Sequence, residues 1–99
     1  MNVAAHTLQL PAATTIEQVP TLREQWSATL AEVGSQELQV QAGAMQSFDT
    51  SALALLLDAQ RTLQAQGGHL SVHGAPAKFV ELAALYGVDA LLFERSTSA

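Results

Sequence analysis

Three short segments of the chain alternate between polar and apolar residues, which is the pattern of a β-strand with one buried face. They are His6–Leu10, Glu37–Ala42 and His69–His73. Strands that are covered by helices on both faces read instead as continuous apolar runs, so the alternation predicts helices on one face of the sheet. The core face would carry Leu38, Val40, Leu70 and Val72, and the open face Thr7, Gln9, Gln39, Gln41, Ser71 and His73.

Apolar residues at spacings of three and four predict a helix after each of the first two strands. The first helix starts near Pro20, which is tolerated in a first turn, and stops before Gly34, a residue type common just past helix ends. The second follows Asp49-Thr50-Ser51, three residue types that cap helix N-termini, and continues to about Gln66. The apolar stripes are Val19, Leu22, Trp26, Leu30 and Val33 in the first helix, and Ala52, Leu55, Leu56, Ala59 and Leu63 in the second.

A third helix is predicted after Pro76, which can open a helix. Its apolar stripe is Phe79, Leu82, Ala83 and Tyr86. Beyond it, Leu91–Phe93 would form a short closing strand or an apolar latch. Every strand-to-strand connection carries a helix, which favours parallel neighbours. The prediction is one α/β domain over residues 1–99, with an ordered core of about 5–94. It is a one-sided sandwich of about four strands, in a mostly parallel or mixed sheet, with about three helices on one face.

The composition excludes several classes of protein. The 99 residues contain no Cys, which rules out a disulfide scaffold, a thiolate zinc site and a cysteine nucleophile. The net charge is −5, so neither nucleic acid nor anionic lipid is an expected partner. The longest apolar stretch, 52–57, is far shorter than the roughly 20 residues of a membrane helix, and direct membrane insertion is not expected. The first residues lack a signal-peptide pattern, which favours the cytoplasm.

No combination of residues predicts an active site. His69 and His73 share a strand face, but four residues along a strand span about 13 Å, too far for a shared metal ion. A Ser/His/Asp set can be assembled on paper, yet neither a nucleophile elbow nor a phosphate-binding loop motif occurs. Asp49-Thr50-Ser51 also matches the signature of aspartic proteases, but those are all-β proteins and here a helical leucine run follows. A non-enzyme without catalytic residues, metal or cofactor is therefore expected.

Asp49-Thr50-Ser51 carries more polar groups than a helix cap needs. One capping side chain contributes about 1 kcal/mol, and this role explains one of the three residues. A hydroxyl at a helix N-terminus beside a carboxylate is also a natural contact or regulatory point. A phosphate group there would meet backbone N–H groups and the positive end of the helix dipole. Asp49, Thr50 and Ser51 are therefore candidate partner-binding or regulatory residues.

Three segments, in this order, resemble the STAS domain, a small α/β module of anti-sigma factor antagonists and sulfate transporters. Ser47–Leu56 resembles that family's Asp-[Ser/Thr]-[Ser/Gly]-Gly-Leu motif and the apolar helix behind it. Ala65–Gly74 resembles its glycine-containing turn and the next strand, and Ala77–Val88 resembles its last helix. The likeness extends over residues 8–93. Each segment is weak evidence by itself, but the order and spacing of the three segments make the resemblance specific.

The resemblance is greatest to the compact STAS subunits of the Mla phospholipid-transport complex, which maintains outer-membrane lipid asymmetry. The shared features are a short N-terminus, Thr50 and a last helix ending in Leu82–Tyr86. The resemblance implies a cytoplasmic accessory or regulatory subunit that binds an ABC transporter ATPase and is peripheral to the inner membrane through that partner. Thr50 would lie in or beside this contact. The alternative is an anti-sigma factor antagonist in a partner-switching pathway, controlled by phosphorylation of Thr50.

The chain departs from the family pattern at Ser51-Ala52, where glycine is usual. A methyl group at position 52 is expected to fill space that a partner or kinase backbone would otherwise approach. This departure speaks against phosphorylation and leaves binding by shape intact.

A partner surface is also predicted on the second and third helices. Leu53 and Leu57 lie one turn apart and off the core stripe, which leaves two interpretations open. They pack against a neighbouring helix, or they form an exposed surface with the start of their own helix. Lys78 and Tyr86 on the last helix would extend that surface, since residues of this kind occur at interfaces. A homodimer of the isolated chain is left open as well.

Overall fold

The computed structural model describes residues 6–93. The expectations for the first five residues, and for the core limits at 5 and 94, lie outside the described residues. The three predicted strands and the three predicted helices are all present, with three short elements added. In chain order the elements are β1 (His6–Gln9), β2 (Ala13–Thr14), α1 (Val19–Val33), β3 (Glu37–Gln41), β4 (Ser47–Phe48), α2 (Thr50–Ala65), β5 (His69–His73), α3 (Ala77–Leu85) and α4 (Asp89–Leu92).

The strands form two parallel sheets. The main sheet has the order β1-β3-β5, so β3 is central. β2 and β4 are two residues long each and form a small parallel pair. The α/β class and the parallel pairing predicted from the helical connections are confirmed. β2 and β4 escape prediction because two residues are too few to show an alternation.

The hydrophobic core lies between the main sheet and the helices. The four predicted core-facing residues of β3 and β5 are at most 3% exposed. They form one cluster with buried residues of every helix, among them Trp26 of α1, Leu56 of α2, Phe79 of α3 and Leu92 of α4. The predicted one-sided sandwich is therefore confirmed.

The open face of the main sheet is polar, with one exception to the prediction. The side chains of its three strands on this face are exposed or half-buried, but Ser71 is 1% exposed. The prediction that Ser71 faces water is wrong. Its Oγ lies 3.0 Å from Glu37 Oε2 and 3.0 Å from His73 Nε2. A short side chain between two long ones is shielded even where no helix covers it.

The predicted apolar stripes of the helices face the core, except at the end of α3. The stripes of α1 and α2 are buried, apart from Leu30, which is partly buried. In α3, Phe79 and Ala83 are buried, whereas Tyr86 follows the helix and is 59% exposed. The placement of Tyr86 on the core stripe is therefore wrong. None of the helices in residues 6–93 combines the length and the hydropathy that are needed to cross a bilayer.

The segment Leu91–Phe93 is an apolar latch. Leu91 and Leu92 belong to the one-turn helix α4, and Phe93 makes a single parallel bridge to Val72 at the edge of the main sheet. The Phe93 ring packs edge-on against Phe79, with ring centroids 6.2 Å apart. Phe79 also packs edge-on against Phe48, at 5.1 Å. These rings connect the C-terminal latch, α3 and the strand that precedes α2.

Gly68 allows the connection after α2 to cross the connection after α1. Its N–H donates to the Leu63 carbonyl at 2.7 Å. A Cβ at this position would lie 2.6 Å from the carbonyl oxygen of Gly34 and 2.7 Å from that of Gln36. Only glycine fits so close to two backbone carbonyls. This contact fixes where β5 starts beside β3.

Candidate functional site

Asp49 fixes the start of α2 and the segment that passes beside it. It is the N-cap of α2, with extended backbone angles (φ −142°, ψ −169°). Its Oδ1 accepts a hydrogen bond from the Ser51 backbone N–H at 2.9 Å, and its Oδ2 accepts one from the Ile16 backbone N–H at 3.2 Å. One carboxylate therefore joins the first turn of α2 to the connection that precedes α1.

The three residues after Asp49 differ in exposure. Thr50 opens α2 and is exposed, Ser51 is half-buried, and Ala52 is fully buried. The helix N-terminus thus presents the Thr50 side chain at the surface. Because Asp49 already caps the helix, the Thr50 side chain is not needed for that role.

Four of the seven candidate residues line one open groove, which we call the Thr50 groove. Leu53 is 4% exposed and belongs to the core, and Leu57 is half-buried, so these two leucines form the floor. Tyr86 is 59% exposed and forms a wall. The lining residues are Thr50, Leu53, Ala54, Leu57, Tyr86 and Val88. The start of α2 and the end of α3 are therefore neighbours in space, although they are far apart in sequence.

A second groove lies on the other side of the start of α2, and we call it the Ile16 groove. Ile16 is 67% exposed and is held beside α2 by the backbone hydrogen bond to Asp49. Ala54 is exposed and lines both grooves, so they adjoin each other. The residues around the Ile16 groove are Ile16, Val19, Pro20, Arg23, Ser51 and Ala54. The result is a polar ridge at Thr50 and Ser51 with an apolar groove on each side.

A cluster of ion pairs lies at the rim of the Ile16 groove. Arg23, at its rim, pairs with Asp58 of α2, and Arg61 also pairs with Asp58 at 2.9 Å. The hydrogen bond from Arg23 and the attraction of both guanidinium groups outweigh partial burial and hold the pKa of Asp58 below its ordinary value. The cluster thus joins α1 to α2 at the rim of the groove through charged groups of both signs.

The comparison with known protein families agrees with this architecture. The family model described as "Mlab, STAS domain" matches residues 1–93. The chain belongs to the MlaB-like STAS family. The resemblance inferred from the three sequence segments is confirmed. No curated protein matches the chain at a significant level. The STAS family supports an accessory or regulatory role, and STAS domains are generally non-catalytic.

In this STAS domain, the residue that replaces the usual glycine at position 52 does not shape the surface. The expectation that its methyl group fills space against a partner is wrong, because Ala52 is 0% exposed and packs in the core. The surface at the start of α2 is formed instead by Thr50, Ser51 and Ala54. The departure from the family pattern therefore leaves the exposed ridge of the STAS domain accessible.

Lys78 lies apart from the other candidate residues of the STAS domain. It is the second residue of α3 and is exposed, whereas Tyr86 follows the last residue of that helix. Eight residues of α-helix rise about 12 Å, so the two side chains belong to opposite ends of α3. Lys78 lines neither groove.

The polar cluster on the open face of the STAS sheet does not have the geometry of a catalytic triad. In a triad the carboxylate holds the histidine and the serine is accessible to substrate. Here the Glu37 carboxylate contacts Ser71 itself, and Ser71 is 1% exposed. Within the part of the chain that the structure describes, no group of three His, Asp or Glu residues could hold a metal ion.

Ile16 and Ala54 are site residues that the sequence pattern does not reveal. Ile16 stands in the connection between β2 and α1, where a single β-branched apolar residue among polar neighbours is the signal that could have marked it. Ala54 carries no such signal, because an alanine in a leucine-rich helix reads as part of the core. Its exposure depends on which side of α2 faces the sheet.

Proposed function

We propose that this STAS domain is a non-enzymatic accessory and regulatory subunit that binds the ATPase subunit of an ABC complex for phospholipid transport. The observation that supports the proposal most strongly is the surface at the start of α2, where exposed Thr50 lies between two apolar grooves. Binding there would keep the protein at the cytoplasmic side of the inner membrane through a protein contact alone.

The surface has the composition of a protein interface. Such interfaces combine an apolar centre with a polar rim and bury roughly 800 Å² on each partner. Ile16 and Tyr86 are large, exposed side chains that can serve as anchors, and Ala54 between them lets a partner approach α2 closely. Thr50 and Ser51 supply hydrogen-bonding groups.

The surface is also held in place before a partner arrives. Asp49 joins the Ile16 segment to α2, Leu53 is anchored in the core, and the Phe48 ring packs on Phe79 of α3. A preformed surface loses little conformational freedom on binding, which favours affinity.

Thr50→Glu tests the proposal. The substitution adds bulk and charge at the centre of the surface, while an acid is tolerated at a helix N-terminus. We expect an unchanged melting temperature and binding to the ATPase subunit that is weakened by roughly 100-fold, about 2.7 kcal/mol. Co-purification from co-expressing cells and titration calorimetry with the purified ATPase measure the binding.

Thr50→Ser is the matched control, since it keeps the hydroxyl and removes only a methyl group, and it should bind as wild type does. If Thr50→Glu binds the ATPase as tightly as the wild type, the contact at Thr50 is refuted. If the wild-type chain does not bind the ATPase and is instead recovered with phosphate on Thr50, the anti-sigma factor antagonist alternative replaces the proposal.

A further inference from the structure

The two outer edges of the main sheet differ in whether their backbone N–H and C=O groups are covered by other parts of the chain. Along a strand, successive residues direct their backbone N–H and C=O groups to opposite edges. In β5 the backbone N–H and C=O groups of Leu70 and Val72 point away from β3. The Gln60 side chain accepts from the Leu70 N–H and donates to the Leu70 carbonyl, both at 2.9 Å, and Phe93 bridges Val72. The outer edge of β5 is therefore covered.

The outer edge of β1 has no such cover in the part of the chain described. The Leu10 N–H donates to the Gln41 carbonyl, and the β1–β3 register continues this pattern back to His6. The even-numbered residues of β1 thus bond to β3, and the backbone groups of Thr7 and Gln9 point outward. Both side chains are exposed, and within residues 6–93 β1 pairs with β3 alone.

Apart from its short length of four residues, β1 lacks the devices that usually block an edge strand. Natural edges are protected by prolines, by charged residues such as lysine or by bulges. His6–Gln9 contains no proline, lysine, arginine or acidic residue, and it pairs with β3 in an unbroken register. The strand is therefore a template for another strand.

We propose that a second copy of this chain pairs antiparallel with the outer edge of β1, so that the two main sheets join into one. The two-fold axis passes beside Leu8. Thr7 then faces the partner's Gln9, and Gln9 faces the partner's Thr7, which gives four backbone hydrogen bonds. A shift that brings Gln9 opposite the partner's Gln9 would place Thr7 opposite the partner's Pro11, which has no N–H to donate.

Leu8 is the reason that a second copy fits this edge. Its side chain is half-buried and packs on the rim of the core. In the proposed register it lies directly opposite the partner's Leu8 in a pair without hydrogen bonds between them, where the Cβ atoms come within roughly 5 Å. Each leucine thus covers the exposed part of the other. The contact is smaller than the roughly 1,200 Å² of a stable interface, so the dimer forms reversibly at high concentration.

Gln9→Pro and Gln9→Thr form a matched pair that tests the backbone pairing. The proline removes the outward N–H and leaves the bonds from Leu8 and Leu10 to β3, as prolines on edge strands do. The threonine keeps the N–H. Sedimentation equilibrium up to about 1 mM should show self-association for the wild type and for Gln9→Thr, and an association at least tenfold weaker for Gln9→Pro.

A single cysteine tests the register, because the chain contains no Cys. Leu8→Cys should form a disulfide-linked dimer under mild oxidation, since residues opposite each other in such a pair lie within disulfide distance. Gln64→Cys, exposed on α2, should not. A wild-type chain that stays monomeric up to 1 mM, or a Gln9→Pro variant that associates as the wild type does, overturns the proposal. If Gln9→Pro does not fold, absence of the Leu8→Cys cross-link overturns it.

Discussion

Gln60 is a polar residue in the buried stripe of a leucine-rich helix. It is 3% exposed. Its Oε1 accepts from the Leu70 N–H, and its Nε2 donates to the carbonyls of Leu70 and Leu91. One side-chain amide thus satisfies three backbone groups and joins α2, β5 and α4. Buried backbone groups need such partners, because leaving one unpaired costs about 1–3 kcal/mol.

Gln60→Leu should therefore destabilise the protein even though leucine suits a core. We expect a loss of about 3 kcal/mol of unfolding free energy, because the three backbone groups lose their partner and water reaches them only in part. Gln64→Leu, one turn later and exposed, should change stability by less than about 0.5 kcal/mol. Urea unfolding of both variants measures the difference. Equal stabilities would mean that Gln60 does not support the fold through these hydrogen bonds.

The polar cluster at Ser71 shows how burial is set one residue at a time. Ser71 has a strand position that should face water, and its neighbours Glu37 and His73 cover it. The Glu37 carboxylate accepts a hydrogen bond from the Ser71 hydroxyl, so the His73 Nε2–H is the donor to Ser71 Oγ. Strand periodicity gives the face on which a side chain lies, and side-chain length gives its exposure.

Among the elements, the connections after α1 and α2 depend on each other. Both helices run to the same end of the sheet, where the turn at Gly68 passes against the carbonyls of Gly34 and Gln36. Gln66 adds to this contact by donating to the carbonyls of Leu30 and Gly34. The C-terminal ends of α1 and α2 and the turns that follow them are therefore packed against each other.

Gly68→Ala tests that packing. The added methyl group would lie within 2.7 Å of two backbone carbonyls, so the turns must move apart. We expect a loss on the order of 2 kcal/mol of unfolding free energy. Gly43→Ala is the matched control, since its Cβ would be 3.9 Å from the nearest atom, and it should be close to neutral. Thermal unfolding monitored by circular dichroism compares them, and similar melting temperatures would contradict the close approach.

At the scale of the whole molecule, α2 serves both the core and the proposed binding surface. One side of the helix packs on the sheet, and the opposite side, with Thr50 and Ala54, lies between the two grooves. Leu53 takes part in both, because it is buried and also forms the floor of the Thr50 groove. Substitutions at this site should therefore divide into those that affect folding and those that affect binding.

Leu53→Ala and Tyr86→Gln should show this division. Leu53 is 4% exposed, so its truncation should cost about 2–4 kcal/mol of stability through lost burial and a cavity. Tyr86 is 59% exposed, and Tyr86→Gln should leave the melting temperature nearly unchanged while it weakens ATPase binding. Ile16→Gln should act in the same way on the other groove, with Ile16→Val as its control. A large drop in melting temperature for Tyr86→Gln or Ile16→Gln would place these residues in the core and contradict the proposed surface.

The parts of the candidate site that have a recognisable local sequence pattern could be predicted. Asp49-Thr50-Ser51 stands out because capping residues precede an apolar run, and Tyr86 stands out at the end of a short helix. Ile16 is not predictable in this way, because it joins the site through a backbone hydrogen bond to Asp49, 33 residues away. Lys78 looked similar to Tyr86 in sequence, but the length of α3 separates them.

Local sequence patterns are sufficient to predict the periodicities of this chain. Alternation along the strands and spacings of three and four along the helices follow from backbone geometry, so they fixed the main elements, the one-sided sheet and most of the core. The folded chain sets which segments meet: the pairing of β2 with β4, the cover on Ser71, the two grooves beside Thr50 and the protected edge of β5. Most of these contacts join residues far apart in the chain, and they depend on how the helices pack against the sheet, which no local pattern encodes.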